Sequence, residues 1–169
     1  QQESITHVKE NQIEIPYEEL DSFTSKNKNI QKQIAFFGGT FTAIPLDEQR
    51  QLLSSVEKYI DQFTSIRIST RPDCITNDIL LFLKDHNVKT IELGIQSFDN
   101  EVLAHSKRYY DQDTAVNACK QVKEMGFDLC IQLMPGLPND TRRTFIDSID
   151  LCCQIKPDFV RLYPTVVLK

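Results

Sequence analysis

The chain has 169 residues, enough for one sizeable core and too few for two comfortable ones. Apolar residues make up 40% and charged residues 25%, an ordinary globular balance, and the formal net charge of -5 argues against a dominant nucleic-acid-binding face. No apolar run is long enough to span a membrane, no signal peptide precedes the domain, and the scattered thiols suit a reducing compartment, so a cytoplasmic protein without a membrane partner is expected.

The first residue is Gln1 rather than Met, so the chain reads as an excerpt of a longer protein. Gln1 to Ile15 is polar and weakly patterned. Pro16 suits the first turn of a helix, with Glu18, Glu19 and Asp21 near its positive end. Ile34-Ala35-Phe36-Phe37 reads as a parallel strand covered on both faces, ended by Gly38-Gly39 and the polar Thr40. Leu52, Leu53, Val56, Ile60 and Phe63 mark one face of a helix over 46–63. Ile66 to Thr70 alternates like a strand, broken by Arg71-Pro72-Asp73. Thr76 can cap a helix to about His86, and Thr90 to Ile95 is the next strand. Asp99 can cap a short helix, and Asp113 to Met125 forms another, stopped by Gly126. Leu129 to Met134 is a strand ended by Pro135-Gly136-Leu137-Pro138. A helix from about Asp140 to Ile155 and a strand from Phe159 to Tyr163 complete the pattern.

Strand and helix repeat at a spacing of roughly 30 residues, the size of a βα unit. Such repeats build a parallel sheet with right-handed crossovers. Five strands predict part of a barrel rather than a closed eight-fold one. In such a fold the C-terminal strand ends share one rim. Gly38-Gly39-Thr40, Ser69-Thr70-Arg71, Gln96-Ser97, Gln132 with the Pro135–Pro138 turn, and Tyr163-Pro164 fall there. Amides, hydroxyls and a guanidinium suit holding a polar ligand. They suit general acid–base catalysis poorly, so any reaction should be carried by a cofactor.

Five cysteines, Cys74, Cys119, Cys130, Cys152 and Cys153, are scattered without C-x-x-C spacing. They read as core thiols of a reducing compartment rather than ligands, and no metal ligand is assigned. Arg71 and Asp73 read as a salt-bridged turn. His7, His86 and His105 read as solvated loop or helix-end residues.

Phe37-Gly38-Gly39-Thr40-Phe41, Thr70-Arg71-Pro72-Asp73, Glu92-Leu93-Gly94-Ile95-Gln96-Ser97, Met134-Pro135-Gly136-Leu137-Pro138 and Leu162-Tyr163-Pro164-Thr165 occur in this order at strand ends. Together they resemble the radical S-adenosylmethionine (SAM) enzymes. The nearest groups are the Elp3-like and the oxygen-independent coproporphyrinogen oxidase-like ones. The resemblance implies an α/β fold: a partial (β/α)6 barrel of TIM type with a parallel sheet. Residues 1–169 would be a single core domain truncated at both ends. It implies SAM, a [4Fe–4S] cluster and an electron donor, with reductive SAM cleavage to a 5′-deoxyadenosyl radical that abstracts hydrogen. Gly38, Gly39 and Thr40 match the position that receives the SAM amino group, and Arg108 the arginine that pairs with its carboxylate. Gln96 and Gln132 match ribose-binding polar groups. Ser69 stands where relatives often carry glutamate. The segment ending at Val167 and Leu168 would wall the adenine. An Elp3-like relation implies tRNA as substrate; the coproporphyrinogen oxidase-like relation implies a porphyrin precursor.

The departures are as informative. The C-x3-C-x2-C loop that binds the cluster is absent from this sequence, so the first strand and the cluster loop are expected upstream of it. The chain by itself is therefore expected to be inactive. Tyr109-Tyr110 replaces the usual glycine–histidine after Arg108. Two rival readings stay open. One is an ordinary barrel enzyme, which would want a Lys or an acid pair on the rim. The other is a non-catalytic nucleoside-binding barrel module.

Overall fold

The computed structural model describes Glu18, Ser22 and residues 32–166. Glu18 and Ser22 are helical; the rest of the helix expected after Pro16, with His7 and Val167, lies outside the described residues. Contacts group the chain into two compact units, residues 1–31 and residues 32–169, and the sheet belongs to the second.

Five strands form that sheet: β1 (Gln33–Phe36), β2 (Ser65–Thr70), β3 (Val88–Gln96), β4 (Asp128–Leu133) and β5 (Phe159–Leu162). All neighbours are parallel and the spatial order equals the chain order. Each crossover therefore adds its strand on the same side, which is barrel winding rather than doubly-wound topology. The connecting helices are α1 (Leu46–Ser55), α2 (Asn77–Asp85), α3 (Asn100–His105), α4 (Gln112–Glu124) and α5 (Arg142–Ile155).

The helix starts follow from their caps. Thr76, Asp99, Asp111 and Thr141 each accept a hydrogen bond from the backbone N–H three residues on, satisfying one of the orphan donors of a first turn. The helix expected over 46–63 is instead two pieces. α1 ends at Ser55, whose hydroxyl donates back to the Leu52 carbonyl, and a 3₁₀ helix follows over Glu57–Gln62. Its three-residue turn aligns Val56 and Tyr59, which are both buried.

Each strand has two unlike faces. One carries Ile34, Ile66, Ile68, Ile91, Leu93, Ile95, Leu129, Ile131 and Leu133, all buried. Such residues contribute about 1.5–3 kcal/mol each when removed from water. The other face carries Gln33, Arg67, Ser69, Thr90, Glu92, Gln132 and Arg161. Side-chain hydrogen bonds run across it from β1 to β3, from β2 to β3 and from β5 to β3. The expectation that β1 is covered on both faces is thus corrected: Ile34 is buried, but Ala35 and Phe37 are exposed. The alternation is that of a sheet with an apolar outer side and a polar inner side.

The sheet is curled into a half-barrel. Arg161 on β5 brings its guanidinium 5.1 Å from the ring centroid of Phe37, the residue following β1. Arg67 on β2 lies 5.4 Å from the ring of Phe159 on β5. In a flat sheet those strands would be far apart, since neighbours are spaced about 4.8 Å. The accumulated twist folds the polar face inward, and it becomes a lumen.

Candidate functional site

The C-terminal end of β3 is its most constrained stretch. The register with β4 slips between Gly94 and Gln96, leaving Ile95 bulged. Gln96 has φ 69°, and Ser97 N–H closes a three-residue turn onto the Ile95 carbonyl at 2.9 Å. A non-glycine residue in that region stores about 1–3 kcal/mol of strain, so the surroundings must hold it there. Two supports are visible. The Tyr110 hydroxyl lies 2.8 Å from the Gly94 carbonyl and 2.9 Å from the Ile95 carbonyl, and shares its one proton between them. The Met134 N–H donates to the Gln96 carbonyl at 2.8 Å. The outcome of the bulge is that Gln96 turns its amide toward β4. There the Gln132 Nε2 donates to the Gln96 Oε1 at 3.2 Å. A Cβ on Gly94 would sit 2.8 Å from the Gln96 Nε2 and would push that amide aside.

Gln96 is buried and Gln132 half-buried. Each amide keeps donor and acceptor capacity beyond the bond they share, the capacity that a pair of hydroxyls would use. The loop after β1 is tied to the same rim. Thr42 bonds through its N–H and its hydroxyl to the Thr70 hydroxyl at the end of β2. Gly38 has φ 106°, and nothing lies within 4 Å of where a Cβ would stand on Gly38 or Gly39, so this backbone is open to a ligand.

Ser69 does not project onto the rim with them. Its hydroxyl donates to the Glu92 Oε1 at 3.2 Å, one layer deeper in the lumen. Arg108 lies on the far side of Tyr110, against a cavity of about 350 Å³ that Asn100, Ala104, Asp111 and Thr114 also line. Neither glutamine nor the Gly38–Thr40 loop borders that cavity. Arg108 is still felt at the rim. Burial pushes the Tyr110 hydroxyl well above its ordinary pKa, and the Arg108 charge draws it back. Tyr110 is therefore a neutral donor at any ordinary pH. The Arg71–Asp73 turn is bidentate, with Nε to Oδ1 at 2.9 Å and Nη2 to Oδ2 at 2.8 Å, which raises the Arg71 pKa.

Residues that sequence reasoning did not nominate fill the lumen below the glutamines. Glu92 is buried at 2% side-chain exposure. Its Oε2 receives Arg161 Nη1 at 2.7 Å and faces Arg67 Nη1 at 3.6 Å and the Cys130 thiol at 3.6 Å. Burial, with Glu92 beside it, pushes the Cys130 thiol up to about 12, so it stays protonated. The signal for this layer was present in the sequence. Ile66-Arg67-Ile68-Ser69, Thr90-Ile91-Glu92-Leu93 and Leu129-Cys130-Ile131-Gln132 all alternate, the mark of a strand with one polar face.

Among the cysteines, Cys119, Cys130 and Cys152 are buried, whereas Cys153 is exposed and Cys74 half-buried. Among the described residues no three His, Cys, Asp or Glu side chains are grouped to hold a metal ion, so these residues do not fit an iron–sulfur cluster. His86 and His105 sit at helix C-termini, each with Nδ1 2.8 Å from the carbonyl four residues back. Among the described residues no helix is long and apolar enough to cross a membrane.

Residues 3–152 match the profile of the radical SAM superfamily. The chain is similar to the heme chaperone HemW of Bacillus subtilis, 23% identical over 140 residues that cover 80% of this chain and 37% of that protein. It is also similar to the tRNA uridine(34) acetyltransferase of Methanocaldococcus infernus, 29% identical over 126 residues, covering 72% of this chain and 23% of that one. Two solved structures share the fold. Coproporphyrinogen III oxidase (HemN) of Escherichia coli gives a TM-score of 0.71 at 24% identity, covering 81% of this chain and 32% of that one. Elp3 of Methanocaldococcus infernus gives 0.75 at 21% identity, covering 89% and 41%. The chain spans less than half the length of the curated relatives it matches.

Proposed function

Because this chain belongs to the radical SAM superfamily, we propose that residues 1–169 are the core domain of an enzyme that binds SAM on the rim of its half-barrel. When bound, SAM and a [4Fe–4S] cluster supply a 5′-deoxyadenosyl radical for hydrogen abstraction, and an external donor supplies the electron. The cluster ligands come from outside the described residues on this reading, and the chain alone binds SAM without cleaving it.

The observation that carries the reading is the Gln96–Gln132 pair. Two amides are held 3.2 Å apart at adjacent strand ends, one of them on a backbone turn maintained at φ 69°. A strained turn that orients a polar side chain is characteristic of a ligand clamp. In the proposed complex these amides take the ribose hydroxyls. The open backbone of Gly38 and Gly39, with the Thr40 hydroxyl, takes the amino group. The carboxylate is assigned to Arg108, whose charge is felt at Tyr110 beside that rim, and the adenine to Val167. Ser69 acts one step removed, through the Glu92 carboxylate it bonds. The relatives point to two substrate classes, tRNA and porphyrin precursors, and the compartment proposed is the cytoplasm.

The test is anaerobic iron–sulfide reconstitution of the full-length protein with SAM and a reductant. We expect release of 5′-deoxyadenosine, slowed about tenfold or more by Gln96→Ala, the loss expected when a bound hydroxyl loses its partner. A cluster-loaded protein that binds SAM and never forms 5′-deoxyadenosine would overturn the enzyme reading in favour of a nucleoside-binding module.

A further inference from the structure

Below the glutamines, three charged side chains meet in the lumen, and their hydrogen bonds do not balance. Glu92 offers two oxygens. Oε1 is taken by the Ser69 hydroxyl, and Oε2 by Arg161 at 2.7 Å and, more weakly, by the Cys130 thiol at 3.6 Å. Arg67 is left at 3.6 Å from the same Oε2, an ion-pair distance too long for a hydrogen bond. Its Nε–H is buried with no partner among the described residues. Two guanidinium forks thus share one carboxylate oxygen, and the group carries a formal charge of +1.

The forks also lie against aromatic rings. Arg161 is 5.1 Å from the ring centroid of Phe37 and 4.8 Å from that of Tyr163. Arg67 lies against Phe159 at 5.4 Å. Those aromatic rings are exposed, and the Arg161 side chain is itself 32% exposed, so the lumen is open at this level. Planar donors lying against aromatic rings are partly ordered before binding, and they match the oxygens of a carboxylate or phosphate. A triad built only to join strands would use its donors on its own acceptor; among the described residues the buried Arg67 Nε–H is not so used.

We propose that Arg67 and Arg161 form a second binding site in the lumen, which receives an anionic oxygen group, carboxylate or phosphate, of the molecule that reacts there. The assignment of this ligand as substrate rests on the lumen being the reaction chamber; the anion site itself does not. Glu92 is then a built-in competitor that holds the forks until the anion arrives. Its position sets the sign of the test.

The experiment is a titration of the arginine Nε–H resonances of the ¹⁵N-labelled chain with sodium succinate or sodium phosphate, against sodium chloride at equal ionic strength. The Arg67 Nε–H should shift saturably with a millimolar midpoint, about 1–10 mM, while that of Arg143, an exposed arginine of α5, should not. Arg161→Lys keeps the charge and removes the fork, and should weaken binding about tenfold. Glu92→Gln removes the competitor and should tighten it, a gain that a merely structural triad would not give. Saturation by succinate alone marks a carboxylate-bearing substrate, and saturation by phosphate alone a phosphate-bearing one. No saturable Arg67 shift with either salt in the native chain overturns the proposal. The titration needs neither SAM nor a cluster, so a failed SAM cleavage assay would leave its result standing.

Discussion

The outer and inner faces of the same five strands obey different physics. Leu93 and Ile131 point outward, are fully buried, and are interchangeable in kind with any well-packed aliphatic residue. Their neighbours Glu92 and Gln132 point inward and are committed to particular partners, Arg161 and Gln96. One residue of register separates a position packed behind the sheet from a position that faces the lumen. The outer face can therefore drift in sequence without loss of architecture, while the inner face carries whatever chemistry the protein has.

Three measurements would break or sharpen that contrast, the largest effect first. Alkaline pH should attack the buried thiols of both faces at once. Burial pushes Cys119 in α4 and Cys130 in the lumen up to about 12, and Cys152 in α5 to about 11, from an ordinary 9.0. Folded-state values above the unfolded one mean that their stabilisation is complete below pH 9 and is lost as pH rises towards 11–12. Urea titrations should show a flat stability to about pH 8.5 and then a fall on the order of several kcal/mol by about pH 11. A stability independent of pH over that range would show that these thiols are not sealed from water.

Next comes a paired substitution on adjacent strands. Leu93→Ala should cost about 2–5 kcal/mol through the cavity it leaves behind the sheet. Gln132→Ala, on the half-buried lumen side, should cost about 1 kcal/mol or less while weakening SAM binding. Equal costs in denaturant would erase the distinction between the faces. An effect smaller than that of Leu93→Ala is expected from Tyr110→Phe, which leaves the Gly94 and Ile95 carbonyls without their shared donor. A loss of about 1–2 kcal/mol is expected. Chemical-shift changes in the variant should concentrate at Gln96 and Ser97, because the turn they form is what the hydroxyl supports. Changes spread evenly over the sheet would remove Tyr110 from that role.

Much of the architecture was legible because it is local. The caps at Thr76 and Asp99, the stop at Gly126 and the strand–helix alternation each depend on contacts within a few residues. Gln96 and Gln132 were nominated as polar strand ends, yet nothing in their spacing shows that a bulge turns one amide onto the other. The stretch Ile34–Phe37 differs from the covered strand its sequence predicts for a related reason. An apolar run looks the same whether both faces are packed or only one, and the exposure of Ala35 and Phe37 depends on strands far away in sequence.

The sequence by itself determined the order of strands and helices, their ends, and the alternation that makes each strand two-faced, since backbone preference and side-chain period act over a turn or two. Only the tertiary structure decided that the polar faces look at one another. That decision comes from twist summed over five strands. It carries Arg161 across to Phe37 and places two guanidinium groups on one carboxylate, and no segment of the chain encodes it alone.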